Sequence, residues 1–328
     1  MLAAALFLGS GSLAAQTLEA VRERGFVNCG VVDDRAVQDG VESHAGLDLD
    51  FCRALAAAIF DDAEKVLLFG VSPALAVEHL ALGELDLVAR LSAGDAVARA
   101  NRAVRFTAPL LVDGQGFMVP LPQGAVNLNQ LSGQRVCVAE AGEARARLEE
   151  FAARRSLNVD IAAFESLEEA AATFFDGGCD ALSAGRLALA GLRAATGKPD
   201  GYEILPDLIA PDPTGPYVTA EDSDWLDLVR WTLFALIEAE ERGITAENAV
   251  QRRVSSDDPA IARFLGRSGS LGQQLGLDDA WVVWIVGQVG NYGEIYARHI
   301  GEESPLKLER GPNALWSRGG LLQSMAFQ

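Results

Sequence analysis

A chain of 328 residues, 49% of them hydrophobic, can bury one or two ordinary cores and suggests about two domains of ~100–200 residues each. Asp and Glu number 46 against 27 Lys and Arg, a formal net charge of −19 at pH 7. That balance argues against nucleic acid and anionic membrane surfaces as partners, because both select basic patches.

The chain opens with "MLAAALFLGSGSLAAQ". Leu2 to Leu8 is a short apolar run, followed by small residues with a cleavage context at Ser12-Leu13-Ala14 or Leu13-Ala14-Ala15. This is the h-region and c-region pattern of a secretory signal peptide over residues 1–15. The positive n-region is missing, which suggests a start further upstream. The run is too short for a membrane span, which needs ~20 apolar residues, and no later run is longer; export would yield a soluble protein. The alternative is an ordinary buried N-terminal helix.

Beyond it, short apolar runs alternate with amphipathic helical segments. Residues 26–32, 65–71 and 85–91 read as strands, with helical spacing over 46–60 and 73–84 between them. The alternation restarts at 135–141 and continues through 158–164 to 179–185. Near-continuous apolar strands separated by helices indicate a parallel sheet covered on both faces. Two stretches break the pattern: "GQGFMVPLPQG" (114–124) and "PDLIAPDPTGPYVTA" (206–220), each rich in glycine or proline around a strand-like core. If the chain leaves one lobe at the first break and returns at the second, two α/β lobes are joined by two hinge strands, with a ligand cleft between them. The simpler alternative is three domains in series. A long helix with an apolar stripe follows at 224–249, and Gly243 sits where a C-terminal stop is expected.

Four cysteines, Cys29, Cys52, Cys137 and Cys179, form no CxxC, and His44, His79 and His299 are isolated, which argues against zinc. An even count in an exported chain fits two disulfides. Cys29–Cys52 and Cys137–Cys179 would each stay within one region of the chain; free buried thiols are the alternative. No GxSxG, HExxH, P-loop or GxGxxG stretch supports an enzyme, and none implies a cofactor or a metal.

"LEAVRERGFVNCGV", "GLDLDFCRALAAAIF", "LALGELDLVAR", "DGQGFMV", "WTLFALIEAEERGIT", "QVGNYGEIYARHIG" and "GPNALWSRGG" closely resemble the periplasmic general L-amino-acid-binding proteins of bacterial ABC importers. The resemblance runs from about Gln16 to about Leu322. It implies a type II periplasmic binding protein fold, with lobe 1 formed by 16–118 and 216–328 (the latter including a C-terminal extension) and lobe 2 by 119–215. It also implies a periplasmic location, a monomer that captures a small ligand such as an amino acid, and delivery to permease subunits. The cysteines fall where the family has them, which supports both disulfides.

The family's grip on an amino acid implies a set of site residues, from which this sequence departs. The run "ARLSAGDAVAR" keeps Arg90 at the cleft mouth, but Leu91 to Asp95 replaces a hydroxyl and tryptophan run. Ser92 can donate to a ligand or cap the following helix. Arg99 falls one position after the expected carboxylate arginine, where Asp95 can compete for it. Glu143 follows Ala141-Gly142 where a Gly-Thr-Thr turn is expected; it suits the helix macrodipole or a cationic ligand group. Gly185 stands where an ammonium-binding aspartate is expected, and the first loop, "DDRAVQDGVESHA", lacks the family's aromatic cover. Trp281, Trp284, Tyr292 and Trp316 read as core or interface packing. These departures leave a second reading: a paralogue that keeps the fold as a sensing or protein-interaction module.

Overall fold

The computed structural model describes residues 17–32, 45–121, 128–140 and 142–327. The expected signal peptide, residues 33–44 of the first loop and Ala141 lie outside the described residues.

Three strands, β1 (Val27–Val31), β2 (Val66–Gly70) and β3 (Leu87–Ser92), make a parallel set in the order β2-β1-β3. A second parallel set, β6 (Arg135–Ala139), β7 (Asp160–Phe164) and β8 (Ala181–Gly185), has the matching order β7-β6-β8. Between them run two ten-residue strands, β5 (Leu111–Pro120) and β10 (Ala210–Thr219). β10 pairs antiparallel with β3, β5 pairs antiparallel with β8, and β5 and β10 pair with each other over 111–115 and 210–214. Two short strands, β4 (Val104–Phe106) and β9 (Tyr202–Ile204), lengthen the outer parts of β10 and β5. The two breaks in the sequence pattern are therefore the two strands that join the α/β halves.

Helices cover both faces. α1 (Thr17–Arg24) leads into β1, and α2 (Ala45–Phe60) follows it. α2 is so thoroughly buried because its small side chains Ala54, Ala56, Ala57 and Ala58 permit close approach on several sides. α3 (Pro73–Ala81) is capped by Ser72 with proline at its first position, the arrangement that satisfies a free N-terminal donor and presets φ. α4 (Ala96–Ala100) is a short turn of helix after β3. In the second half α5 (Ala144–Arg155), α6 (Leu167–Phe175) and α7 (Arg186–Ala194) alternate with the strands. The long helix α8 spans Ser223–Glu241 and stops at Gly243 (φ +62°), so residues 244–249 do not continue it. α9 (Ala249–Ser255), α10 (Pro259–Phe264), α11 (Leu271–Gln274), α12 (Trp281–Val289) and α13 (Tyr292–His299) complete the first half. Trp281 and Tyr292 are buried there as expected, whereas Trp316 lies exposed and donates its indole N–H to Glu241.

Both cysteine pairs form: Cys29–Cys52 ties β1 to α2, and Cys137–Cys179 ties β6 to the approach to β8. In the chain-entropy account each closed loop contributes on the order of 3–4 kcal/mol.

The hinge strands approach one another closely. Gly114 has φ +146°, and a Cβ there would stand 2.4 Å from the Ala210 carbonyl oxygen of β10. Only glycine fits that position.

Candidate functional site

In open α/β sheets ligands settle beyond the C-terminal ends of the parallel strands, where the chain order reverses. Here β3 ends in Arg90 and Ser92, β8 ends in Gly185, and both run up to the paired β5 and β10. The residues gathered at that crossing are Asp113 and Gln115 of β5, Asp212 of β10, and Arg186 at the start of α7.

Arg90 is held from the first half. Its Nε and Nη2 donate to the two oxygens of Asp48 at 2.6 and 3.1 Å, a bidentate pair in which Asp48, in the first turn of α2, is almost completely buried. The Nε–Nη2 edge of the guanidinium is therefore committed to Asp48. Ser92 does not cap the following helix; Asp95 does, accepting the Ala98 N–H at 2.8 Å. The Ser92 hydroxyl instead donates to Asp212 at 2.5 Å and accepts the Gly94 N–H, while its carbonyl receives the Tyr217 hydroxyl. Ser92 thus ties the end of β3 to the hinge strand.

Arg99 lies exposed in the last turn of α4 rather than at a helix start. Asp95 is occupied as the cap of that helix, and no Asp95–Arg99 ion pair forms among the described residues. Glu143 occupies the N-cap position of α5 without a side-chain capping bond and pairs with exposed Arg147 one turn on. The structure therefore gathers Arg90 and Ser92 at the crossing and leaves Arg99 and Glu143 on the surface.

Asp113 is a residue the sequence reasoning missed. Its Oδ1 accepts the Leu187 N–H in the first turn of α7 at 3.3 Å. Its Oδ2 lies 3.4 Å from the place a Cβ on Gly185 would take. The carboxylate expected at position 185 is absent from β8, and one from the neighbouring strand stands beside the same spot. Burial pushes the Asp113 carboxyl above its ordinary range, against the opposing pull of the Gly114 and Leu187 N–H groups and of the charges of Arg90 and Arg186. Asp212 sits directly across the β5–β10 ladder from Asp113, so the crossing carries two carboxylates on facing positions.

Gln115, two residues along β5 from Asp113, is buried. Its Nε2 donates to the Ala144 carbonyl at the start of α5 and to Ser183, while its Oε1 meets no donor. The cluster thus combines buried hydrogen-bond acceptors with flanking cationic charge. Among the described residues no three His, Cys, Asp or Glu side chains group to hold a metal ion, and no helix is long and apolar enough to cross a membrane.

No protein-family model matches the chain. It is 37% identical over 324 residues to the general L-amino acid-binding periplasmic protein AapJ of Rhizobium johnstonii, covering 97% of this chain and 95% of that one. The glutamate/glutamine/aspartate/asparagine-binding protein BztA of Rhodobacter capsulatus is 33% identical, over 98% of this chain and 96% of its own. Among solved structures, an ABC transporter periplasmic binding protein from Brucella ovis with glutathione bound is 36% identical. It superposes with a TM-score of 0.76 and covers 96% of this chain and 100% of that one. The chain belongs to the amino-acid-binding proteins of ABC transporters, components that capture a small substrate between two α/β lobes and deliver it to the permease and are not enzymes.

Proposed function

We propose that the ligand is a small molecule carrying an α-amino-acid group, either an amino acid or a short peptide of the glutathione kind, held at the crossing of β5 and β10. The observation that carries this reading is the Asp113 carboxylate beside Gly185 at the start of α7. It offers an acceptor for the ligand ammonium where the family resemblance expects one, although it comes from a different strand. The unpaired Gln115 Oε1 adds a second acceptor on the same strand. Ser92 and Arg90 line the first-half side, Arg90 held in place there by Asp48. Arg99 and Glu143, both exposed, serve at the cleft rim.

In this reading lobe 1 comprises 16–118 and 216–328, and lobe 2 comprises 119–215. The protein acts as a periplasmic monomer, released by removal of residues 1–15. The two disulfides support an oxidising compartment, and the names of AapJ and BztA support amino acids as ligands.

Calorimetric titration of the processed chain with glutamate, glutamine, asparagine and glutathione tests it, with putrescine as a control that lacks a carboxylate. Saturable binding of at least one amino-acid-bearing compound is expected. Asp113→Asn is expected to weaken it about 10–100-fold, the worth of one hydrogen bond to a charged group. No heat with any of the four, or full affinity in Asp113→Asn, refutes the reading or the role of Asp113 respectively.

A further inference from the structure

Arg186 opens α7 directly after Gly185 and is only 3% exposed. Its side chain runs from the end of β8 across the hinge strand. Cγ lies 3.1 Å from the place a Cβ on Gly116 would take, and Nη1 lies 2.9 Å from that on Gly311 of the C-terminal segment. Two glycines make the room this side chain occupies, and the guanidinium sits where β5, the start of α7 and the C-terminal segment meet. Among the described residues no carboxylate pairs with it, and its Nε meets no acceptor. The charge of Arg186 acts on Asp113, Arg193 and the Tyr296 hydroxyl, on which Arg90, Glu309 and Arg310 respectively act as well.

Four part-buried arginines of this chain are each matched by a carboxylate: Arg90 by Asp48, Arg24 by Asp86, Arg242 by Glu238 and Arg310 by Glu240; Arg252, whose Nε also lacks an acceptor, is less deeply buried than Arg186. A cation taken out of water without a partner loses its hydration with nothing in return. A guanidinium is also the side chain best shaped for a carboxylate, because it presents parallel N–H donors in a fixed plane. Arg186 has the burial of a matched residue without the match, beside the acid assigned above to the ligand ammonium.

We propose that Arg186 anchors a carboxylate-binding subsite at the hinge and takes the remote carboxylate of a dicarboxylic amino acid or peptide. The choice of ligand as a dicarboxylate rests on the amino-acid reading; the anion subsite itself does not.

Titration with ligands alike except for one carboxylate isolates the effect: glutamate against glutamine, and glutathione against its glycine carboxamide. The wild-type protein is expected to prefer the acid in at least one pair by tenfold or more. R186Q is expected to lose that preference while binding the amide as the wild type does, and R186K to retain part of it. An unchanged preference in R186Q, or equal losses for acid and amide, overturns the proposal. Inorganic sulfate is a probe that needs no amino acid. Its stabilising effect on the thermal midpoint is expected to be larger in the wild type and in R186K than in R186Q; identical responses in all three overturn the subsite. A sulfate response lost only in R186Q, in protein that binds no amino acid, supports the subsite and overturns the ligand reading.

Discussion

Replacing Asp48 by asparagine removes one half of the ion pair that holds Arg90. The two side chains are 2% and 14% exposed, and they share two hydrogen bonds of 2.6 and 3.1 Å, so the pair is largely screened from solvent. Stranding one member of such a pair costs about 3–5 kcal/mol. The asparagine carbonyl still accepts one bond, which returns about 1 kcal/mol, and the net loss is about 2–4 kcal/mol. At ~2–4 °C per kcal/mol for a chain of this size, the thermal midpoint falls by roughly 5–15 °C. Differential scanning calorimetry of Asp48→Asn and Arg90→Met measures it directly. The double variant Asp48→Leu/Arg90→Met, which removes both charges, recovers part of the loss, because neither member of this pair then strands the other. Asp48→Asn melting within about 1 °C of the wild type refutes this account. So does an Arg90→Met protein of wild-type stability that has lost its ligand, since Arg90 would then serve the ligand alone.

Two further outcomes follow from other parts of the first half. Asp50 is buried, which pushes its carboxyl up, but the hydrogen bond and charge of His299 and those of Arg298 outweigh burial and hold it below the ordinary value of 3.8. Its contribution is therefore full at neutral pH and is lost as pH falls through the lowered folded-state value. Urea unfolding from pH 7 to below 3.8 is expected to show the wild type's advantage over Asp50→Asn shrinking only at the acid end; a constant gap contradicts the pairing. Gly114→Ala forces a side chain into φ +146° and against the Ala210 carbonyl. The cost is about 2–3 kcal/mol or more, read as a lower urea midpoint, and an unchanged midpoint means that the hinge strands do not cross as tightly as described.

The layered α/β order was legible because each strand and helix carries its own period: the strands at 66–70, 135–139 and 181–185 fall inside the apolar runs that announced them. The two joining strands were visible only as interruptions, since Pro211, Pro213 and Pro216 within β10 obscure a strand pattern that is completed by pairing with β5. The site was half legible. Arg90 and Ser92 lie at the end of one strand and could be named from one motif. Asp113, Gln115 and Arg186 are brought together by the β5–β8 ladder and by a hydrogen bond between residues 74 positions apart, which no local spacing encodes. A signal was nonetheless present in the charged residue inside the otherwise apolar "LLVDGQGFMV" and in the arginine of "SAGRLALAG", where neighbouring residues are small or apolar.

The candidate site lies where a strand stops. β8 pairs with β5 as far as Gly185 opposite Gln115, then leaves the sheet to begin α7. Nearer the start of β5 the backbone must find other partners, since buried N–H and C=O groups are almost always paired. Asn313 of the C-terminal segment supplies them for Val112: its Oδ1 accepts the Val112 N–H at 2.7 Å and its Nδ2 donates to the Val112 carbonyl at 2.9 Å. Arg193 of α7 binds the same segment through the carbonyls of Leu306 and Lys307. Between the end of β8 and this side-chain rung, Asp113 meets the start of α7, which Arg186 opens, instead of another strand. A sheet that continued for one more rung would cover that space with backbone. The departure of β8 and the arrival of the C-terminal segment therefore act together, and they leave Asp113 of β5 bonded to the first turn of α7 rather than opposite a further residue of β8.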